Sequence, residues 1–170
     1  MEAKFSELIS YFEDLAKKHK EILHGESEKH FYRFELDEVL TAMCTDINYP
    51  ALILEGYTID YSDSNSDNVI KRRSGGFILL GHVDDTKDFD AIHAVWDKLE
   101  AVGDDILVKI LYDKRNRVTK VVRDFDISNC NAQLLEVEEL GQYGIRFSFE
   151  VGSAKSNDIN EEVSRLYHYL

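Results

Sequence analysis

The chain has 170 residues, 44% of them apolar and including nine Tyr and nine Phe, which excludes a largely disordered polymer and is enough for one sizeable core. A formal net charge of −13 works against a primary grip on nucleic acid, because phosphate neutralisation needs a surplus of Lys and Arg on some face. Cys44 and Cys130 stand alone, with no CxxC spacing, and no run approaches the roughly 20 apolar residues of a membrane span, so a soluble, unprocessed protein in a reducing cytoplasm is expected.

Phe5, Leu8, Ile9, Phe12, Leu15, Ile22 and Leu23 recur at three- and four-residue steps and predict a helix over about 3–24, with Gly25 as its stop. A polar connector follows, then "ELDEVLTAM" predicts a short second helix, and Pro50 marks entry into an extended segment. "ALILEGYTIDY" and "VIKRRSGGFILLGHV" predict two strands of a long antiparallel hairpin across "SDSNSDN", with a bulge or bend at Gly75 and Gly76. Phe77 to Leu80 is apolar without alternation, so both faces of that strand are expected to be covered.

Downstream, Phe89, Ile92, His93, Val95, Trp96 and Leu99 keep helical spacing behind Asp84, Asp85 and Thr86, and the two carboxylates suit a helix start. "DDILVKILYDKRN" repeats the pattern, and Gly103 between them predicts two separate helices. "NAQLLEVEELGQYGIRFSFEV" predicts a second hairpin turning around Gly141 to Gly144. In its second strand Ile145, Phe147, Phe149 and Val151 alternate with Arg146, Ser148 and Glu150, one buried face against one solvated face. "DINEEVSRLYHYL" closes the chain as a short helix or docking tail.

For chemistry, His82, Asp84, Asp85, Asp88, Asp90 and His93 form the one plausible metal set, and His82, Asp84, Asp88 and His93 are the ligands a metal-dependent hydrolase would use. Their clustering around a helix entry favours the plainer role of dipole complementarity, so neither a metal nor another cofactor is expected. Asp63, Asn65 and Asp67 start like a calcium loop, but Asn68 and Ser74 stand where that loop needs Gly and Glu. No GxSxG, Walker or GxGxxG turn is present, and Ser74 before Gly75-Gly76 and the apolar setting of Cys44 supply no nucleophile signature. Tyr49, Tyr57, Tyr61, Tyr143, Phe147 and Phe149 serve a core first and a ligand pocket or subunit contact second.

"YPALILEGY", "GGFILLGHV" and "GQYGIRFSFEV", in the order helix, long hairpin, helices, closing hairpin, resemble the small α+β proteins that complete or terminate bacteriophage tails, with their prophage and tail-like relatives. The resemblance implies a structural protein that forms rings through homo-oligomeric contacts, engages other tail-like particle proteins and carries no catalytic residue.

The expected fold is a single α+β domain over 1–170, with an antiparallel sheet of about four strands from two hairpins and helices mainly on one face. The expected function is non-enzymatic assembly, with Lys71, Arg72 and Arg73 of one subunit facing Asp63 and Asp67 of the next. A metal-dependent hydrolase and a small-ligand or protein-binding module are the alternatives, and no nucleic-acid or membrane partner is expected.

Overall fold

A computed structural model of the chain describes residues 4–33, 47–63 and 69–155. The expected helix "ELDEVLTAM", Cys44, Asn65, Asp67 and the terminal "DINEEVSRLYHYL" lie outside the described residues. Among those described, the fold is α+β. Its elements in chain order are α1 (Phe5–Lys18), β1 (Phe31–Arg33), β2 (Ala51–Leu54), β3 (Thr58–Asp63), β4 (Val69–His82), α2 (Phe89–Arg115), β5 (Asn131–Val137) and β6 (Gln142–Lys155).

The strands form a mixed sheet in the order β1-β2-β4-β6-β5, with β3 also paired to β4. β1 runs parallel to β2, and the remaining pairs are antiparallel. Both expected hairpins are present, but the sheet has six strands and one parallel pair where about four antiparallel strands were expected. One extra strand arises because "ALILEGYTIDY" splits: Leu54 pairs with Phe77 and Thr58 with Ser74, so residues 55–57 face only Gly75 and Gly76. The surplus residue therefore sits opposite the two glycines, on the partner strand. The other is β1, whose three residues are too few to show any period and fell within the polar connector.

β4 supplies both cores. Phe77 and Leu79 point to one face and Ile78 and Leu80 to the other, all at most 2% exposed, as the unbroken apolar run predicts. On the first face Leu52, Leu54, Phe77, Leu79, Ile145, Phe147 and Phe149 meet Leu8, Phe12 and Leu15 of α1 and Leu99, Val102, Ile106 and Ile110 of α2. Each such fully buried side chain contributes about 1.5–3 kcal/mol. On the second face Ile53, Ile78 and Leu80 pack with Tyr32, Ile47 and Ala51. Both described helices thus lie on one face, as expected.

α1 is shorter than its periodicity predicts. It stops at Lys18; His19 is extended and Leu23 is left-handed at φ 52°, yet Ile22 still reaches the core from the turn that follows. His24 then anchors the start of β1, because its Nδ1 accepts the backbone N–H of His30 at 3.1 Å while Nε2 stands 3.9 Å from Glu13. His30 in turn meets the Pro50 carbonyl through Nδ1 at 3.0 Å, and its own carbonyl accepts from Leu52 N at 2.8 Å.

The two expected helices after residue 88 are one 27-residue helix. Gly103 is an approach point here: a Cβ there would lie 2.0 Å from Phe147 Cζ, so its absence lets the helix settle on the ring. That ring is held in turn by stacking on Phe77 at 4.9 Å between centroids. The middle of α1 is tied to the C-terminal end of α2 by Tyr11, whose hydroxyl donates to buried Asp113 at 2.9 Å; Lys109 also bonds that carboxylate. Burial, reinforced by Asp113, pushes the Tyr11 hydroxyl well above its ordinary pKa and keeps it a donor.

Two tests follow from this packing. Gly103→Ala gains helix propensity of about 1 kcal/mol, yet the clash with Phe147 makes it destabilising by about 1–3 kcal/mol in denaturant titration. Adding Phe147→Leu should restore part of the loss. Burial, opposed by Glu13 and joined by Lys17, His30 and Lys29, lowers the His24 pKa. A lowered histidine pKa means stability present above the unfolded value of about 6.5 and lost as pH falls through the folded one. Thermal melts of wild type should therefore drop between neutral pH and pH 5 more steeply than those of His24→Gln.

Candidate functional site

The His/Asp cluster after β4 is drawn apart by local structure. His82 stacks on Tyr49 at 5.4 Å and holds Asp84 Oδ1 at 3.2 Å from Nε2. Asp85 accepts from Lys87 N, and Asp88 caps α2 by accepting from Ala91 N at 3.0 Å. His93 lies along α2 against Trp96, and Asp90 occupies the first helical turn. Among the described residues, no group of three or more His, Cys, Asp or Glu is arranged to hold a metal ion. The stretch "GHVDD" thus serves as the exit from a strand and the entry to a helix.

The basic triplet sits on the upper, three-stranded part of the sheet, where β3, β4 and β6 run beyond β2. Strand alternation separates its members. Arg73 is 9% exposed on the helix face, over the Tyr57 ring at 5.7 Å; Lys71 shares that face and lies 5.8 Å from the Tyr61 ring centre. Arg72 points the other way, half exposed, with Nε 3.6 Å from Glu150. The three residues therefore do not form one surface. Asp63 pairs with Val69 at the tip of the β3–β4 ladder. Of the aromatics singled out in the sequence, Tyr143, Phe147 and Phe149 are core, whereas Tyr61 is 62% exposed.

A concavity among the described residues was not anticipated from the sequence, although Tyr57, Ser74 and Phe149 line it. It opens on the second face at the bulge, holds about 610 Å³, and is lined by residues from the bulge, β4, β6 and Asn129. Its floor is made of small residues, Ser74, Gly75 and Ser148, and Gly76 lies opposite Ser148 beside it. Across Gly76 runs an ion pair. Arg146 Nε donates to both Glu55 oxygens at 3.0 and 2.9 Å, and Nη2 lies 2.8 Å from Oε2. Glu55 is 6% exposed, so this carboxylate is removed from water and depends on Arg146 to balance its charge. A Cβ at Gly76 would stand 2.4 Å from Glu55 Oε2 and 2.9 Å from the Phe147 carbonyl oxygen.

Ser74, noted before Gly75-Gly76, contributes to the pocket wall. Cys130 is half-buried against the helix-side core, and burial, then Asp126, raises its thiol to about 11, which makes it a poor nucleophile. A sequence signal for the pocket did exist. "LILEGY" puts a Glu and a Gly at the end of an otherwise apolar run, and Arg146 occupies the solvated phase of its strand, but nothing in one sequence joins the two.

Gly76→Ala should separate Glu55 from Arg146 and destabilise the fold by on the order of 3 kcal/mol, the scale of a broken buried pair. In a Glu55→Ala background the same substitution should cost much less. A double-mutant cycle by denaturant titration measures the coupling.

The chain matches no protein-family model and no curated protein.

Proposed function

We propose that this chain is a non-enzymatic assembly protein of prophage or tail-like origin, acting through contacts between copies of itself. The observation that supports the reading is the upper sheet of β3, β4 and β6, which has an open edge on each side among the described residues. β3 pairs only with β4. β5 covers β6 only up to Ser148, and beyond the single bridge from Phe125 to Val151 residues 152–155 pair only with β4.

Unpaired strand edges template association with another chain. Because β3 and β6 are both antiparallel to β4, they run in the same direction. A second copy set alongside without inversion would lay its β3 parallel to the free part of β6. Such a contact is heterologous, and it closes into a ring if the rotation between copies allows. Ile59 and Tyr61, 43% and 62% exposed on β3, are the apolar anchors of that edge.

Charge contributes in a narrower form than the full basic triplet. All three have a partner within their own subunit, Lys71 by the Tyr61 ring, Arg72 at Glu150 and Arg73 over the Tyr57 ring, but only Arg73 is buried, so Lys71 and Arg72 are the two left to meet Asp63 or Asp67 of a neighbour. Exposed pairs of this kind steer and select more than they stabilise, and salt weakens them.

Native mass spectrometry and light scattering test the reading. The 19.7 kDa chain should appear as a defined oligomer. Ile59→Lys with Tyr61→Lys should return it to monomer while leaving the melting curve unchanged. Lys71→Glu with Arg72→Glu should weaken assembly and its salt dependence. A monomer at every concentration, or an oligomer mass indifferent to both variants, rejects the proposal.

A further inference from the structure

The pocket at the bulge has a chemistry that assembly does not need. Its lower wall is Arg146, whose guanidinium meets Glu55 side-on through Nε and Nη2. A guanidinium has five N–H donors in a planar fork, so this pairing leaves the Nη1 end and the outer Nη2 hydrogen unused. Arg146 is held by a buried partner, is 31% exposed and lines the pocket, so its guanidinium is fixed beside open space. Preorganisation of this sort suits bidentate capture of a planar carboxylate.

The opposite wall is Glu150. It stands four residues along β6 from Arg146, about 13 Å between Cα atoms of an extended strand, and the long Arg146 side chain, crossing Gly76 to Glu55, shortens the gap. Glu150 is 28% exposed, with Arg72 at 3.6 Å. Ser74 and Ser148 lie between the two walls, small side chains that leave the floor low and offer hydroxyls.

The formal charges decide the ligand class. Glu55 with Arg146 and Glu150 with Arg72 sum to zero, arranged as a donor fork at one end and a carboxylate at the other. A lone anion meets Glu150 and a lone cation meets Arg146. A molecule bearing both charges, spaced by one or two residues of backbone, meets a complement at each end. We propose that the bulge pocket binds a zwitterion of amino-acid to dipeptide size, its carboxylate on the outer edge of Arg146, its ammonium on Glu150, and its backbone between Ser74 and Ser148.

The volume of about 610 Å³ fits this class with room for a side chain. Both walls lie inside one subunit, and neither Ile59 nor Tyr61 of the proposed edge lines the pocket; Arg72, the partner of Glu150, is common to both proposals.

Glycylglycine is the probe, titrated into the full chain and followed by amide chemical shifts and calorimetry. The expected result is saturable binding with shifts centred on Ser74 and Ser148. Glu150→Gln, which leaves the Glu55–Arg146 pair in place, should weaken binding by about tenfold or more, and N-acetylglycylglycine, lacking the ammonium, should be weakened alike. Arg146→Lys should lose binding too, with its own amide spectrum showing that it is folded, and an unchanged Glu150→Gln melt separates the Glu150 effect from misfolding. Absence of saturable shifts, shifts centred elsewhere, or equal binding of the acetylated probe overturns the assignment.

Discussion

β4 and β6 pair residue for residue from Val69 and Lys155 to His82 and Gln142, and every other element takes its position from that ladder. Its lower half is apolar on both faces through Phe77 to Leu80, so it must be covered twice. α1 and α2 cover one side, and Tyr32, Ile47 and Ala51 contribute to the other. The ladder also fixes where side chains must be absent. Gly103 brings α2 against Phe147, Gly81 admits Val95 to the same helix face, and Gly144 passes close to the Leu79 carbonyl. Replacing any of these positions moves an element, because interiors packed at crystal density cannot absorb an extra methyl group freely.

The bulge at residues 55–57 divides this continuous ladder into two regimes. Below it β2 shields β4 with four fully buried residues. Above it β3 takes over with an edge bearing exposed Ile59 and Tyr61, and the second face turns from Ile78 and Leu80 to Ser74, Ser148 and the charged pairs. A bulge adds local twist and redirects the strand that carries it. A packed platform and an open three-stranded arm are therefore made from the same two long strands.

Periodicity carries information about one segment at a time, and the legible parts of the fold are those that a single segment decides. The two-sided burial of Phe77 to Leu80, the alternation from Ile145 to Val151 and the helix behind Asp88 were all written in local pattern. Local punctuation misled where tertiary contact assigned it another purpose. Gly103 read as a helix break because nothing in the sequence announces that Phe147, 44 positions away, needs its missing side chain. The bulge was placed at Gly75-Gly76 for the same reason: the glycines mark the irregular zone, while the inserted residue belongs to the strand facing them. The basic triplet looked like one patch because sequence adjacency hides that neighbouring strand residues point to opposite faces. Glu55 and Arg146 were beyond reach, being 91 residues apart and joined only by folding.

That pair raises an energetic question of its own. Removing two charges from water costs several kcal/mol per ion before any attraction is counted, and apolar residues of similar volume often match or exceed a buried ion pair in stability. The face that Glu55 and Arg146 share already has Ile53 and Ile78, both fully buried, so two more aliphatic side chains would extend an existing apolar patch at less desolvation cost. Gly76 adds to the expense, since it gives up strand propensity and side-chain burial so that the carboxylate and guanidinium meet across it. Stability alone supplies no reason for three such residues in the centre of a sheet. A guanidinium fixed beside an open pocket supplies one, because the buried carboxylate then holds in place a group with donors that Glu55 does not use.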